Sequence, residues 1–78
     1  MKTLPKFRKA NDFEEQYILD NLEDKHFEFL NLYVVESEVY DIVYFIEALG
    51  GGFECTLGCR EWMYDTIEKL LNKISEHI

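Results

Sequence analysis

The apolar positions of this chain change period several times, and each change marks a candidate element. Asn11-Asp12-Phe13-Glu14 has the form of a capping box. Asn11 can accept from a first-turn N–H, and Asp12 and Glu14 fall near the positive end of the helix dipole. The pattern predicts a helix over 12–22, with Ile18, Leu19 and Leu22 on one side and Phe13 and Tyr17 on another. Residues 27–35 are rich in aromatic and β-branched groups on both faces and predict a largely buried strand. Val39, Ile42, Val43, Ile46 and Leu49 then recur at helical spacing behind Ser37, a good cap, and ahead of Gly50, which can take a left-handed C-cap. β-Propensity supports a competing strand over 39–46. Cap, spacing and glycine stop agree on a helix, and Glu36-Ser37 would make a poor hairpin turn. Phe53, Cys55 and Leu57 alternate with Glu54 and Thr56, which predicts a short strand with one apolar face. Finally Met63, Ile67, Leu70, Leu71, Ile74 and Ile78 form one stripe opposite Glu61, Asp65, Glu68, Asn72 and Glu76. Lys69, Lys73 and His77 fall in the second half of this stretch, where positive charge suits the dipole.

These elements predict an α+β fold: helix-strand-helix-strand-helix, with a thin two- or three-stranded sheet and a long C-terminal amphipathic helix. Residues 1–10, with Pro5 and alternating basic and apolar positions, form an extended arm or a short edge strand, and residues 11–78 form a single acidic domain. A strand-helix-strand unit with short links favours a right-handed parallel crossover. Two strands make a thin sheet, so a third comes from the arm or from a second copy across an exposed edge, which favours a homodimer.

Length and composition narrow the class. With 78 residues there is room for one modest core, and 47% hydrophobic residues argue against disorder. The longest apolar run, Ile42–Ile46, is far short of the ~18 residues of a membrane span. No apolar segment follows the basic residues of the first ten positions as it would in a secretory signal, so a cytoplasmic protein without membrane contact is expected. The net charge of −8 is unevenly spread. Lys2, Lys6, Arg8 and Lys9 put +4 on the first ten residues, twelve acids against Lys25 leave −11 on residues 11–59, and residues 60–78 carry −1. Such a negative field repels nucleic acid and attracts basic surfaces. The basic arm is then expected to lie on its own acidic surface or on that of a neighbour.

No constellation identifies a reaction, so the expectation is a protein that is not an enzyme and holds no cofactor or metal. Cys55 and Cys59 are too few for a structural zinc site, with His26 and His77 the only other soft ligands. Both thiols read as small core residues, without a disulfide. Ser37 is better used as a cap than as a nucleophile, and sixteen acids guarantee incidental carboxylate pairs. Gly50-Gly51-Gly52 has neither the P-loop lysine nor dinucleotide spacing and reads as a helix exit. Tyr40 and Tyr44, one helical turn apart and flanked by Asp41 and Glu47, form either an exposed contact surface or a packing surface beneath the first helix or across a dimer. Trp62 is either a partly buried core residue or an interface anchor. Tyr40, Asp41, Tyr44, Glu47 and Trp62 are therefore the candidate partner-binding residues.

The opening Met1-Lys2-Thr3-Leu4-Pro5-Lys6-Phe7-Arg8-Lys9, the length and the acid-, Tyr- and Phe-rich body resemble small accessory proteins of T4-like tailed phages. The resemblance implies an intracellular protein made during infection that contacts host or phage proteins, and it transfers no functional residue. Phage inhibitors that mimic DNA are similarly small and acidic, although the basic arm departs from their uniformly negative character. The expected function is a small acidic binding or inhibitory protein that contacts a basic or nucleic-acid-binding protein. The alternative is a homo-oligomeric structural or accessory protein.

Overall fold

Five strands lie in one sheet in sequence order, each antiparallel to its neighbour, with a helix on each face. The computed structural model describes residues 4–21, 28–38, 42–57 and 60–78. Along the chain the elements are β1 (Phe7–Lys9), α1 (Asp12–Asn21), β2 (Phe29–Val35), β3 (Val43–Ala48), β4 (Phe53–Leu57), β5 (Arg60–Tyr64) and α2 (Ile67–Ser75).

Alternation along the strands divides the core in two, because successive side chains point to opposite faces. Val35, Val43, Phe45 and Cys55 meet Leu70, Leu71 and Ile74 of α2 on one face, with Tyr33, Phe53, Trp62 and Tyr64 around them. Leu32, Val34 and Ile46 meet Ile18 of α1 on the other, with Phe29 and Tyr44 at the margin. A bulge between Phe29 and Asn31 shifts the β2 register against β3. It lets Phe29 join the α1 face even though its parity would place it with Tyr33.

The two helices are held differently. Thr66 caps α2, its Oγ1 accepting from Lys69 N–H at 3.3 Å, and the helix buries Leu70, Leu71 and Ile74. At about 1.5–3 kcal/mol per buried aliphatic side chain, those three contribute roughly 5–9 kcal/mol before chain entropy is subtracted. By contrast, α1 buries Ile18 and leaves Phe13 80% and Tyr17 52% exposed. Local contacts define its start: Glu14 N–H donates to Asn11 Oδ1 (2.8 Å), and Asn11 N–H donates to Glu14 Oε1 (3.1 Å). The capping box read from the sequence is present, as are the first helix and the strand over Phe53–Leu57.

The predicted architecture is otherwise corrected. The sheet has five strands rather than two or three, all its pairings are antiparallel, and no parallel crossover joins the described strands. The expected middle helix is strand β3 over residues 43–48, while Val39 lies outside the described residues. β3 is central and covered on both faces, so Val43, Tyr44, Phe45 and Ile46 form an unbroken apolar run. Such a run carries no period that separates a strand from a buried helix. The expected long C-terminal helix is likewise split, with residues 60–64 pairing to β4 and the helix beginning only after Thr66. Trp62 and Tyr64 alternate inward there, and Met63, assigned to the helical stripe, is 59% exposed. The short-edge-strand reading of the first residues holds for Phe7–Lys9, which pair with Tyr33–Val35.

The glycines form a hairpin turn rather than a helix exit. Gly51 N–H donates to the Ala48 carbonyl (3.1 Å), and Ala48 N–H donates to the Gly52 carbonyl (3.0 Å). Gly51 and Gly52 have φ of 98° and 86°, a region that side chains with a Cβ avoid. A Cβ at Gly52 would also lie 3.3 Å from the Tyr64 carbonyl oxygen.

Candidate functional site

Ile18 of α1 packs over β2 and β3, and β4 and β5 add no residue to that core. Their side chains on the same face are Glu54 and Thr56 of β4 and Glu61 and Met63 of β5, with Glu54 paired to Met63 and Thr56 to Glu61. Thr56, Glu61 and Met63 are exposed and Glu54 is half-buried. Tyr44, half-buried beside the Ile18 cluster, marks the boundary between the covered and open halves of the face. Burial is the main cause raising its phenol pKa, reinforced by Cys55 and Glu54. The open half therefore joins carboxylates to a tyrosine and a methionine, and its strands place no lysine or arginine on that side.

Helix α1 extends this acidic side with Asp12, Glu14, Glu15 and Asp20 and has no basic residue of its own. Arg8, from β1, is held by both carboxylate oxygens of Glu14, at 2.5 and 2.6 Å. At that position the basic first segment does lie on the protein's own acidic surface. On the α2 side the charges are nearly balanced, Arg60, Lys69 and Lys73 standing beside Asp65, Glu68 and Glu76. Lys69 pairs with Asp65 (3.0 Å) and Lys73 with Glu76 (3.4 Å). Arg60 Nη1 donates to His77 Nδ1 at 2.8 Å, a direction required because a guanidinium only donates. His77 in turn stacks on Trp62, with ring centroids 4.8 Å apart, and Lys73 Nζ stands 6.0 Å from the Trp62 ring centre.

The candidate residues of the sequence thus separate. Tyr40 and Asp41 lie outside the described residues. Tyr44 faces the α1 side. Glu47, also on β3, accepts from Asn31 Nδ2 (2.8 Å) on the opposite side, where Asn31 and Glu47 oppose each other in the ladder. Trp62 is a half-buried member of the α2 core. The helical turn that was to bring Tyr44 and Glu47 onto one surface does not exist, because three residues along a strand reverse the face. Glu54, Thr56, Glu61 and Met63 were not singled out. The alternation of Glu54 and Thr56 against Cys55 carried the signal for half of them, whereas Glu61 and Met63 were assigned to a helix.

Little else in the described residues offers chemistry. Cys55 is fully buried and its thiol is pushed up to about 11 by burial, while Cys59 lies outside the described residues. Among the described residues no group of three His, Cys, Asp or Glu side chains could hold a metal ion, and no helix is long and apolar enough to cross a membrane. A shallow depression of about 480 Å³ lies between the glycine turn and Met63, Tyr64 and Asp65. A second, of about 340 Å³, lies between Leu4–Lys6 and Glu36–Glu38. No protein-family model matches the chain, and no curated protein or solved structure matches it.

Proposed function

We propose that this protein is a small acidic binding protein that docks a basic protein partner on its α1 side, through the open half of the sheet. The supporting observation is the segregation of charge between the two layers. Asp12, Glu15, Asp20, Glu54 and Glu61 stand on the α1 side, where Arg8 is engaged by Glu14, while on the α2 side Arg60, Lys69 and Lys73 are balanced by Glu47, Asp65, Glu68 and Glu76. Tyr44 and Met63 add apolar area within the carboxylates, which suits a contact surface better than a merely solvating one. A nucleic-acid-binding protein is one partner of this chemistry, its phosphate-binding cations meeting carboxylates instead. The resemblance to phage accessory proteins favours partners among host or phage proteins.

The test is affinity capture at rising salt with the wild-type chain and with a Glu54→Gln, Glu61→Gln double variant, the bound proteins being identified by mass spectrometry. Basic proteins should be retained by the wild type, elute as salt screens the contact, and bind the variant about tenfold more weakly. Capture of no basic protein, or equal capture by the variant, would contradict the proposal.

A further inference from the structure

The two edges of the sheet differ in how they are protected. At one end β1 is three residues long, follows Pro5 and exposed Lys6 and ends in exposed Lys9, features that discourage another strand from pairing there. At the other end β5 has five residues, Arg-Glu-Trp-Met-Tyr, with no proline and no lysine, and β4 is the only described strand beside it. Helix α2 lies over β4 and β5 on one face, where Trp62 and Tyr64 pack against its core residues, so the hydrogen-bonding edge of β5 runs alongside the helix.

We infer that β5 pairs with β5 of a second copy, antiparallel about a two-fold axis at Trp62, to join two sheets into one of ten strands. Charge favours a second copy as the occupant. Residues 60–78 carry −1 in a chain of −8, so this is the region where two copies approach with least repulsion, whereas a basic partner is drawn to the α1 side.

Charge also selects the register. Directly opposed side chains must share a face, so the two-fold axis has to pass through a residue. Centred on Glu61, it sets Glu61 against its own copy. Centred on Met63, it sets Glu61 against Asp65. Centred on Trp62, it places Glu61 opposite Met63, Arg60 opposite Tyr64 and Trp62 opposite Trp62, with no acid facing an acid. In that arrangement both α2 helices lie on the same face of the joined sheet. The two open acidic faces become continuous on the other.

Sedimentation equilibrium of the full chain with reductant present, from about 1 μM to about 1 mM, tests the inference. The wild type should become dimeric within that range. Met63→Glu places carboxylates opposite Glu61 at two symmetric positions and should weaken the dimer about tenfold or more. Adding Glu61→Lys should restore it, because each new glutamate then faces a lysine. Met63 also lies across from Glu54 in its own chain, so circular dichroism should accompany each variant. Should Met63→Glu fail to fold, Met63→Lys serves instead: it faces Glu54 within the chain and Glu61 across the edge, and should tighten the dimer. A wild type monomeric throughout overturns the inference. So does a dimer indifferent to Met63→Glu, not restored by the double variant, or not tightened by Met63→Lys.

Discussion

Glu14 joins three parts of the chain through one carboxylate. It accepts both guanidinium nitrogens of Arg8 in β1 and the backbone N–H of Asn11 ahead of α1, while its own N–H is capped by Asn11. The bond from Arg8 is the largest cause lowering its pKa, followed by the bond from Asn11, and together they bring it from 4.5 to about 2. A carboxyl whose pKa is lower when folded binds its proton more readily when unfolded. Its stabilisation is therefore complete above about pH 4.5 and disappears as pH falls through about 2. Carboxyl NMR titration should find Glu14 still ionised at pH 3, and Arg8→Ala should move its midpoint upward toward the ordinary range. An unmoved midpoint would show that Arg8 does not hold it. Cys55 illustrates the opposite shift. Burial favours its neutral thiol, which removes the thiolate that metal binding or redox chemistry would require at this position.

At the scale of elements, burial distinguishes the helices more sharply than their sequences do. Three buried side chains fasten α2, against one in α1, a difference of roughly 3–6 kcal/mol in apolar stabilisation. Opening of α1 alone should therefore precede global unfolding, leaving the sheet and α2 intact. Native-state hydrogen exchange should find the amides of residues 16–21 exchanging at least about tenfold faster than those of residues 70–75. Equal protection would mean that α1 opens only with the whole molecule. The capping box, the start of α1 and the β4 alternation were legible because each is a local pattern. β3 was not, since Val43 and Ile46 satisfy a helical stripe while Val43, Phe45 and Ile46 equally satisfy a strand covered on both faces. The extension of the last stripe back to Met63 concealed the cap at Thr66 in the same way. For the candidate site, the sequence leaves Tyr44 either on an exposed contact surface or packed beneath the first helix or across a dimer; it is half-buried beside Ile18, and the neighbours that helical spacing gives it do not share its face.

For the whole molecule, the net charge of −8 is divided between a mainly acidic layer and a nearly balanced one. Like charges on the α1 side repel in the folded state, and the described ion pairs are few and largely exposed. Screening the repulsion should outweigh weakening those pairs. The thermal midpoint should therefore rise by a few degrees between low salt and about 0.5 M sodium chloride. A fall would mean that Arg8–Glu14 and the α2 pairs contribute more than the repulsion costs. The same layering carries the functional proposal, since it gives a basic partner one preferred side to approach and leaves the β5 edge for a second copy.

The amino-acid sequence alone determines the charge map along the chain, the capping box at Asn11, the alternation around Cys55 and the apolar stripe that seats α2. These depend on residue spacing within a turn or a strand, and local sterics and hydrogen bonding express them wherever the segment lies. Tertiary structure decides the rest. Strand or helix at residues 43–48 depends on whether pairing partners stand on both sides, and β2 and β4 supply them. Which carboxylates share a surface follows from that choice, because a strand sends Tyr44 and Glu47 to opposite faces and gathers Glu54 and Glu61 from two neighbouring strands onto one.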